Sequence, residues 1–212
     1  FRSHADSKEK KELKSLYRLL DSYKKELIRH NNQKDDMLTN KEIDAVKNET
    51  IQHMKDQIKK VEELIKKFIQ SNESIKNQYE LLQTIPAIGS VTAIGLLAEL
   101  PELGNFKTAR ELAAHVGITP KHNISGKGIY KQSRISKIGS VILRNMLYFP
   151  SITATRYNQR LKEFFIKLTS KGKKKMIGII AVMRKMVHII YGVLKSGEEY
   201  KEGIVIRQKA VA

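Results

Sequence analysis

The chain has 212 residues, 41% hydrophobic and 29% charged, which is enough apolar material for one sizeable core or two small domains. Forty Lys and Arg against 22 Asp and Glu leave a formal net charge of +18, a surplus that repels itself in a compact fold unless a polyanion neutralises it. The absence of cysteine excludes disulfide frameworks, cysteine nucleophiles and cysteine zinc sites, and no uninterrupted apolar run reaches the ~18 residues of a membrane span, so nucleic acid rather than a membrane is the expected partner.

The first residues, Phe1-Arg2-Ser3-His4-Ala5-Asp6, are polar and lack an initiator methionine, and they read as the middle of a longer protein. Leu13, Leu16, Leu20, Tyr23 and Leu27 then recur at alternating steps of three and four, the narrow stripe of a heptad helix. A polar run over residues 31–40 breaks it, and Asn40 is a candidate cap for a second helix. The stripe of that helix is Ile51, Met54, Ile58, Val61, Ile65, Phe68, Ile75 and Tyr79. Asn72 falls on the same stripe, either as a buried register device or as a solvated seam. The pair fits an antiparallel hairpin within one chain or a coiled coil between chains. Its unequal lengths favour a dimerising arm over residues 8–79, and with it a homo-oligomer.

Near Gln78 the composition shifts to small and aliphatic residues punctuated by Pro86, Gly89, Gly95, Pro101 and Gly104, which places a domain boundary there and a second domain over 80–200. The stretch Leu81-Leu82-Gln83-Thr84-Ile85-Pro86-Ala87-Ile88-Gly89-Ser90-Val91-Thr92-Ala93 has the layout of a helix-hairpin-helix. In this reading Gly89 frees the backbone of a tight turn, and amides around Gly89, Ser90 and Thr92 face a phosphate. Residues 91–100 read as a buried helix, Thr108 as the cap of the next, and Gly117 as its stop. Residues 118–139 form a loop or short hairpin rich in glycine, serine and base. Ser140 caps a helix that Pro150 is expected to kink or interrupt before residues 152–165, and the final helix, from Met176 to about Leu194, is apolar on most faces. The chain after Ser196 is expected to be loosely held, with 201–212 a loose tail. The predicted class is all-α: a long helical hairpin or coiled-coil arm followed by a compact helical domain.

The acidic residues bound the chemistry. No aspartate follows Asp56 and the later glutamates are scattered, whereas two-metal phosphoryl transfer needs carboxylates converging on ions about 4 Å apart. The histidines show no ligand spacing either, so no metal site is expected in this chain. A serine can attack phosphorus if cations neutralise the phosphate. Ser125 has that setting, with Lys121, Lys127, Lys131, Arg134 and Lys137 nearby and Gly126 and Gly128 permitting close approach to a strand. The competing reading is a phosphate-binding loop in which Ser125 only donates a hydrogen bond. Arg144 and Lys173, with Lys171, Lys174, Lys175, Arg184 and Lys185, extend the positive surface.

Taken together these residues resemble the carboxy-terminal transposase domain of the insertion sequence 110 family, whose relatives include the Piv-type DNA invertases. The resemblance rests on Leu82-Gln83-Thr84-Ile85-Pro86-Ala87-Ile88-Gly89, Leu97-Ala98-Glu99-Leu100, Leu112-Ala113-Ala114-His115-Val116-Gly117-Ile118-Thr119-Pro120, Ser125-Gly126, Arg134-Ile135-Ser136-Lys137-Ile138-Gly139 and Ala181-Val182-Met183-Arg184-Lys185. It implies a recombinase whose serine, here Ser125, becomes joined to DNA, and whose magnesium is held by a RuvC-like domain amino-terminal to this region. That domain is not represented in this sequence, so the chain by itself is expected to bind DNA without cutting it. The resemblance further implies a prokaryotic, cytoplasmic, nucleoid-associated protein, with a guide RNA as partner in some members. Ala87 departs from the usual glycine of the family. The rival readings are a non-catalytic helix-hairpin-helix DNA- or RNA-binding protein on a dimerising arm, and a basic ribosome-associated protein.

Overall fold

The computed structural model describes residues 7–32, 41–121, 124–125, 129–130, 134–136 and 138–202. The chain divides into two compact units, one over Ser7–Lys76 and the other from Asn77 onward. Eight α-helices make up nearly all of the regular structure among these residues, so the all-α class is observed.

In the first unit α1 (Lys8–Asn32) packs on α2 (Lys41–Ser71). Ser7 starts α1, its Oγ accepting from the Lys10 amide at 3.2 Å. Leu13 and Leu20 of α1 are buried, as are Ile58, Val61, Ile65 and Ile69 of α2, so the heptad stripes close on each other as a hairpin within one chain. Lys24 Nζ reaches Glu62 Oε1 at 2.7 Å, a half-exposed pair that contributes about 0–1 kcal/mol. Asn40, the candidate cap of α2, lies outside the described residues.

The structure corrects the reading of Asn72. The long stripe is not one helix: α2 stops at Ser71 and α3 runs Glu73–Gln83. Asn72 is the junction, its Nδ2 donating to the Phe68 carbonyl at 2.7 Å while its own carbonyl accepts from the Lys76 amide at 2.9 Å. It satisfies a helix-end carbonyl that would otherwise lack a partner.

In the second unit α4 (Ser90–Glu99) packs against α6 (Val141–Tyr157), and α5 (Ala109–Val116), α6 and α7 (Gln159–Ser170) pack against α8 (Lys175–Ser196). α8 is long and apolar enough to cross a membrane by length and composition, and here it is the central core helix with Val182, Met183, Met186, Val187 and Ile190 buried. Gly178 lets α8 approach α7: a Cβ there would lie 2.8 Å from the Phe165 ring. Three caps read from sequence are present. Thr108 accepts from the Glu111 amide, Ser140 accepts from the Leu143 amide, and Gly117 ends α5 at φ 79°, ψ 29°.

Two further expectations are corrected. Of the kink or interruption expected at Pro150, the interruption does not occur, since α6 continues through it to Tyr157. Pro150 is buried within a helix that packs on α4, α7 and α8, and this packing outweighs a local cost of about 3 kcal/mol. The break comes at Asn158, which is buried, accepts from the Leu161 amide at 3.1 Å to start α7, and donates through Nδ2 to the Tyr200 hydroxyl at 3.0 Å. The chain just after Ser196 is accordingly not loose: the Tyr200 amide also donates to Thr84 Oγ1 at 2.9 Å, tying it to the end of α3. Residues 203–212 lie outside the described set.

Candidate nucleic-acid interface

Between α5 and α6 the chain forms two short antiparallel strand pairs, nested one inside the other. β1 (Pro120–Lys121) pairs with β4 (Arg134–Ile135), and β2 (Ile124–Ser125) pairs with β3 (Ile129–Tyr130). In the outer ladder Pro120 faces Ile135 and Lys121 faces Arg134; in the inner one Ile124 faces Tyr130 and Ser125 faces Ile129. Two residues separate the ladders on one side and three on the other, so the registers are offset by one.

The base of this hairpin is fixed by α5 and α6. Gly117 takes the left-handed conformation that ends α5, the Ile118 amide returns to the Ala113 carbonyl at 3.2 Å, and Ile118 is buried. The Ser136 amide donates to the Thr119 carbonyl at 2.9 Å, which lengthens the outer ladder, and the Ser140 amide donates to the His115 carbonyl at 2.9 Å. Gly139, at φ 142°, passes so close to α5 that a Cβ would lie 2.2 Å from the His115 oxygen. Arg144 Nη1 donates to the Val116 carbonyl at 2.9 Å and stands where a Cβ on Gly117 would be.

Ser125 is therefore the last paired residue of β2, and Gly126, Lys127 and Gly128 connect it to β3. Lys121 and Arg134 occupy one rung. Lys127, Lys131 and Lys137 lie outside the described residues. Arg144 is engaged at the hairpin base, and Lys173 is exposed in the connection between α7 and α8, its amide donating to the Leu168 carbonyl at 3.2 Å. Lys171, Lys174 and Lys175 surround it, and α8 starts there with no acidic residue in its first turn and no capping side chain.

The α3–α4 connection corrects the role given to Gly89. Its φ of −86° and ψ of 174° are open to any residue, and a Cβ there would meet nothing within 4 Å. The left-handed residue is Ala87, at φ 75°. Gly89 does leave the start of α4 without a side-chain cap. Ser90 is exposed, Thr92 is half-buried, and the Ser90 hydroxyl shares a 2.8 Å hydrogen bond with Tyr79 of α3, which closes the turn. The sequence reading missed the Gly139 and Arg144 contacts with α5, because close backbone approach leaves no periodic signal.

Residues 79–165, from α3 through the hairpin to α7, match the model of the transposase IS116/IS110/IS902 family. The chain is similar to the pilin gene-inverting protein of Moraxella bovis, 29% identical over 194 residues that cover 91% of this chain and 59% of that protein. It is also similar to the transposase for insertion sequence element IS1111A of Coxiella burnetii, 27% identical over 145 residues that cover 67% of this chain and 38% of that protein. The insertion element IS110 43.6 kDa protein of Streptomyces coelicolor is 21% identical over 121 residues, 57% of this chain and 30% of that protein. The chain thus spans 59% or less of each of these relatives.

Proposed function

We propose that this chain is the DNA-handling part of a recombinase in which Ser125 is the nucleophile. The observation that carries the reading is the position of Ser125, at the end of a hairpin that is basic in sequence and fixed at its base. Two features support DNA as the partner. Lys121 and Arg134 occupy one rung of the outer ladder, so both strands of the hairpin are basic in sequence there. Lysines also crowd the positive, uncapped start of α8. The open start of α4 offers a third backbone contact of the kind that positions a strand without reading bases.

In this reading the Ser125 hydroxyl adds to phosphorus and gives up its proton. The phosphorus–oxygen bond to the neighbouring sugar breaks, and the departing oxygen takes a proton to become a free hydroxyl. The reverse attack by a new hydroxyl rejoins the strand and releases the serine. Among the described residues no three His, Asp or Glu side chains come together, and in this reading magnesium would be held by carboxylates outside this chain. What the chain itself supplies is strand binding and the nucleophile. We also read the helical hairpin as the oligomerising element, since Ile43, Val46 and Leu64 remain exposed on α2, and the same basic surfaces would accept a guide RNA.

The test joins the chain to its metal-binding partner domain and presents element-end DNA. A denaturing gel should show a covalent protein–DNA adduct that Ser125→Ala abolishes, while duplex affinity stays within about twofold. An adduct that persists in Ser125→Ala overturns the nucleophile. A flat dependence of affinity on salt overturns the multi-phosphate interface, which should weaken steeply as salt rises.

A further inference from the structure

Residues 112–162 hold nine Lys and Arg and no Asp or Glu, and α6 lies wholly inside this stretch. Among the described residues two aromatic side chains are exposed, Phe149 at 73% and Tyr157 at 74%, and both stand on α6. The other described phenylalanines and tyrosines are buried or half-buried. Singly exposed apolar side chains are common, but Ile138, Val141 and Ile142, where the hairpin enters α6, are exposed as well. A run of this kind marks a contact surface.

The ring of Phe149 meets that of Tyr148 edge to face, with centroids 5.5 Å apart and planes at 73°. Ile142, Asn145, Phe149 and Arg156 recur at steps of three, four and seven, the spacing of one helix face, and all four are exposed. The face thus presents an amide, a ring and a guanidinium in line, and Tyr157 follows Arg156. At 1.5 Å per residue Phe149 lies about 12 Å along the axis from the hairpin root, and Tyr157 lies about 12 Å further. Each interval is about three to four nucleotide rises of a DNA strand. Rings set among cations, with no carboxylate to repel phosphate, fit the faces of bases that have left their stack. A second copy docking here would set two acid-free basic stretches against each other, which disfavours self-association at this face.

We infer that the exposed face of α6 is a stacking platform for unpaired bases of a DNA strand, with Phe149 and Tyr157 as the stacking rings and Arg156 for the backbone beside them. A duplex keeps its base faces covered, so the platform serves a strand that has been opened. Stacking tolerates any sequence, because every base has a π-face. The inference rests on the DNA-binding half of the function proposed above and not on the nucleophile.

The experiment measures binding of the whole chain, by fluorescence anisotropy, to labelled oligothymidylate of about 16 nucleotides and to a blunt duplex of the same length. Phe149→Ala should weaken single-strand binding by about five- to 100-fold, the range for loss of one stacked base, and leave duplex affinity within about twofold. Phe149→Leu keeps apolar bulk without the π-face and should fall close to Phe149→Ala. Phe149→Trp should bind at least as tightly as the parent. The chain has no other tryptophan, so the emission of that variant should be quenched by the bound oligonucleotide. Tyr157→Ala should also weaken single-strand binding, and Tyr157→Phe should not. Parental single-strand affinity in Phe149→Ala or Phe149→Leu overturns the platform and leaves the serine hairpin untouched, as does unquenched emission from Phe149→Trp with the oligonucleotide bound. An oligomer that light scattering shows in the parent and not in Phe149→Ala, with single-strand binding retained, assigns the face to a second copy and overturns the inference. Oligouridylate held more than about tenfold tighter than oligothymidylate, with the same dependence on Phe149, assigns it to RNA instead. A chain that binds neither single strand nor duplex overturns both readings.

Discussion

Arg144 and Val116 join two helices at the root of the serine hairpin: the guanidinium of one donates at 2.9 Å to the last carbonyl of α5 on the other. Gly117 and Gly139 are glycines because this contact, and the crossing of the chain beside His115, leave no room for a Cβ. Arg144→Ala should cost about 1–3 kcal/mol, the range for a charge-assisted hydrogen bond that leaves a part-buried carbonyl unpaired. Gly139→Ala should cost more, since the backbone itself must move. Urea unfolding of the three proteins checks the order.

Ala87 offers the opposite case. Its φ of 75° costs an L-residue about 1–2 kcal/mol, and the lower folding entropy of alanine relative to glycine returns about half of that. Ala87→Gly is therefore expected to raise stability by about 0.5–1 kcal/mol, read as a higher denaturant midpoint with an unchanged slope. A lower midpoint would mean that the turn is held by something other than its backbone.

Asn158 does two jobs with one side chain, starting α7 and holding the hydroxyl of Tyr200. Asn158→Ala should lose about 1–2 kcal/mol from the cap alone. Tyr200→Phe removes only the second contact, and a double-mutant cycle by thermal unfolding should show coupling between the two positions.

Acid should weaken the fold. His188 binds its proton less readily in the native state than in the unfolded chain, and His115, partly buried with its ring 5.5 Å from that of Phe106, does the same. Over the window between the native and unfolded values the unfolded chain holds more protons, so stability drops as pH falls through about 6.5 and levels off below the native values. His188→Gln should flatten that decline in pH-dependent melting. A decline that keeps its full size in the variant would assign it to other groups.

What could be read from sequence followed from local rules. Heptad steps gave the α1 and α2 stripes, and hydroxyl and glycine caps gave both ends of α5 and the start of α6. The misreadings came where one particular contact, local or distant, outweighs the general preference of a residue type. Pro150 continues a helix because its neighbours pack around it, Asn72 ends one because its amide finds the Phe68 carbonyl, and Tyr200 is held by Thr84, 116 positions away. In the candidate site, the serine and its basic neighbours were visible as residue types. The pairing of Ser125 with Ile129 depends on a turn geometry that no spacing rule encodes.

The one-step mismatch between the two nested ladders makes the length of the hairpin as informative as its composition. Removing a single amino acid from the three-residue side would bring both ladders into a common frame and invert the facing of everything beyond. Matched additions to both arms would only lengthen the finger. Paired insertions and deletions in the two arms are therefore expected to keep the register of both ladders, and unpaired ones to change it.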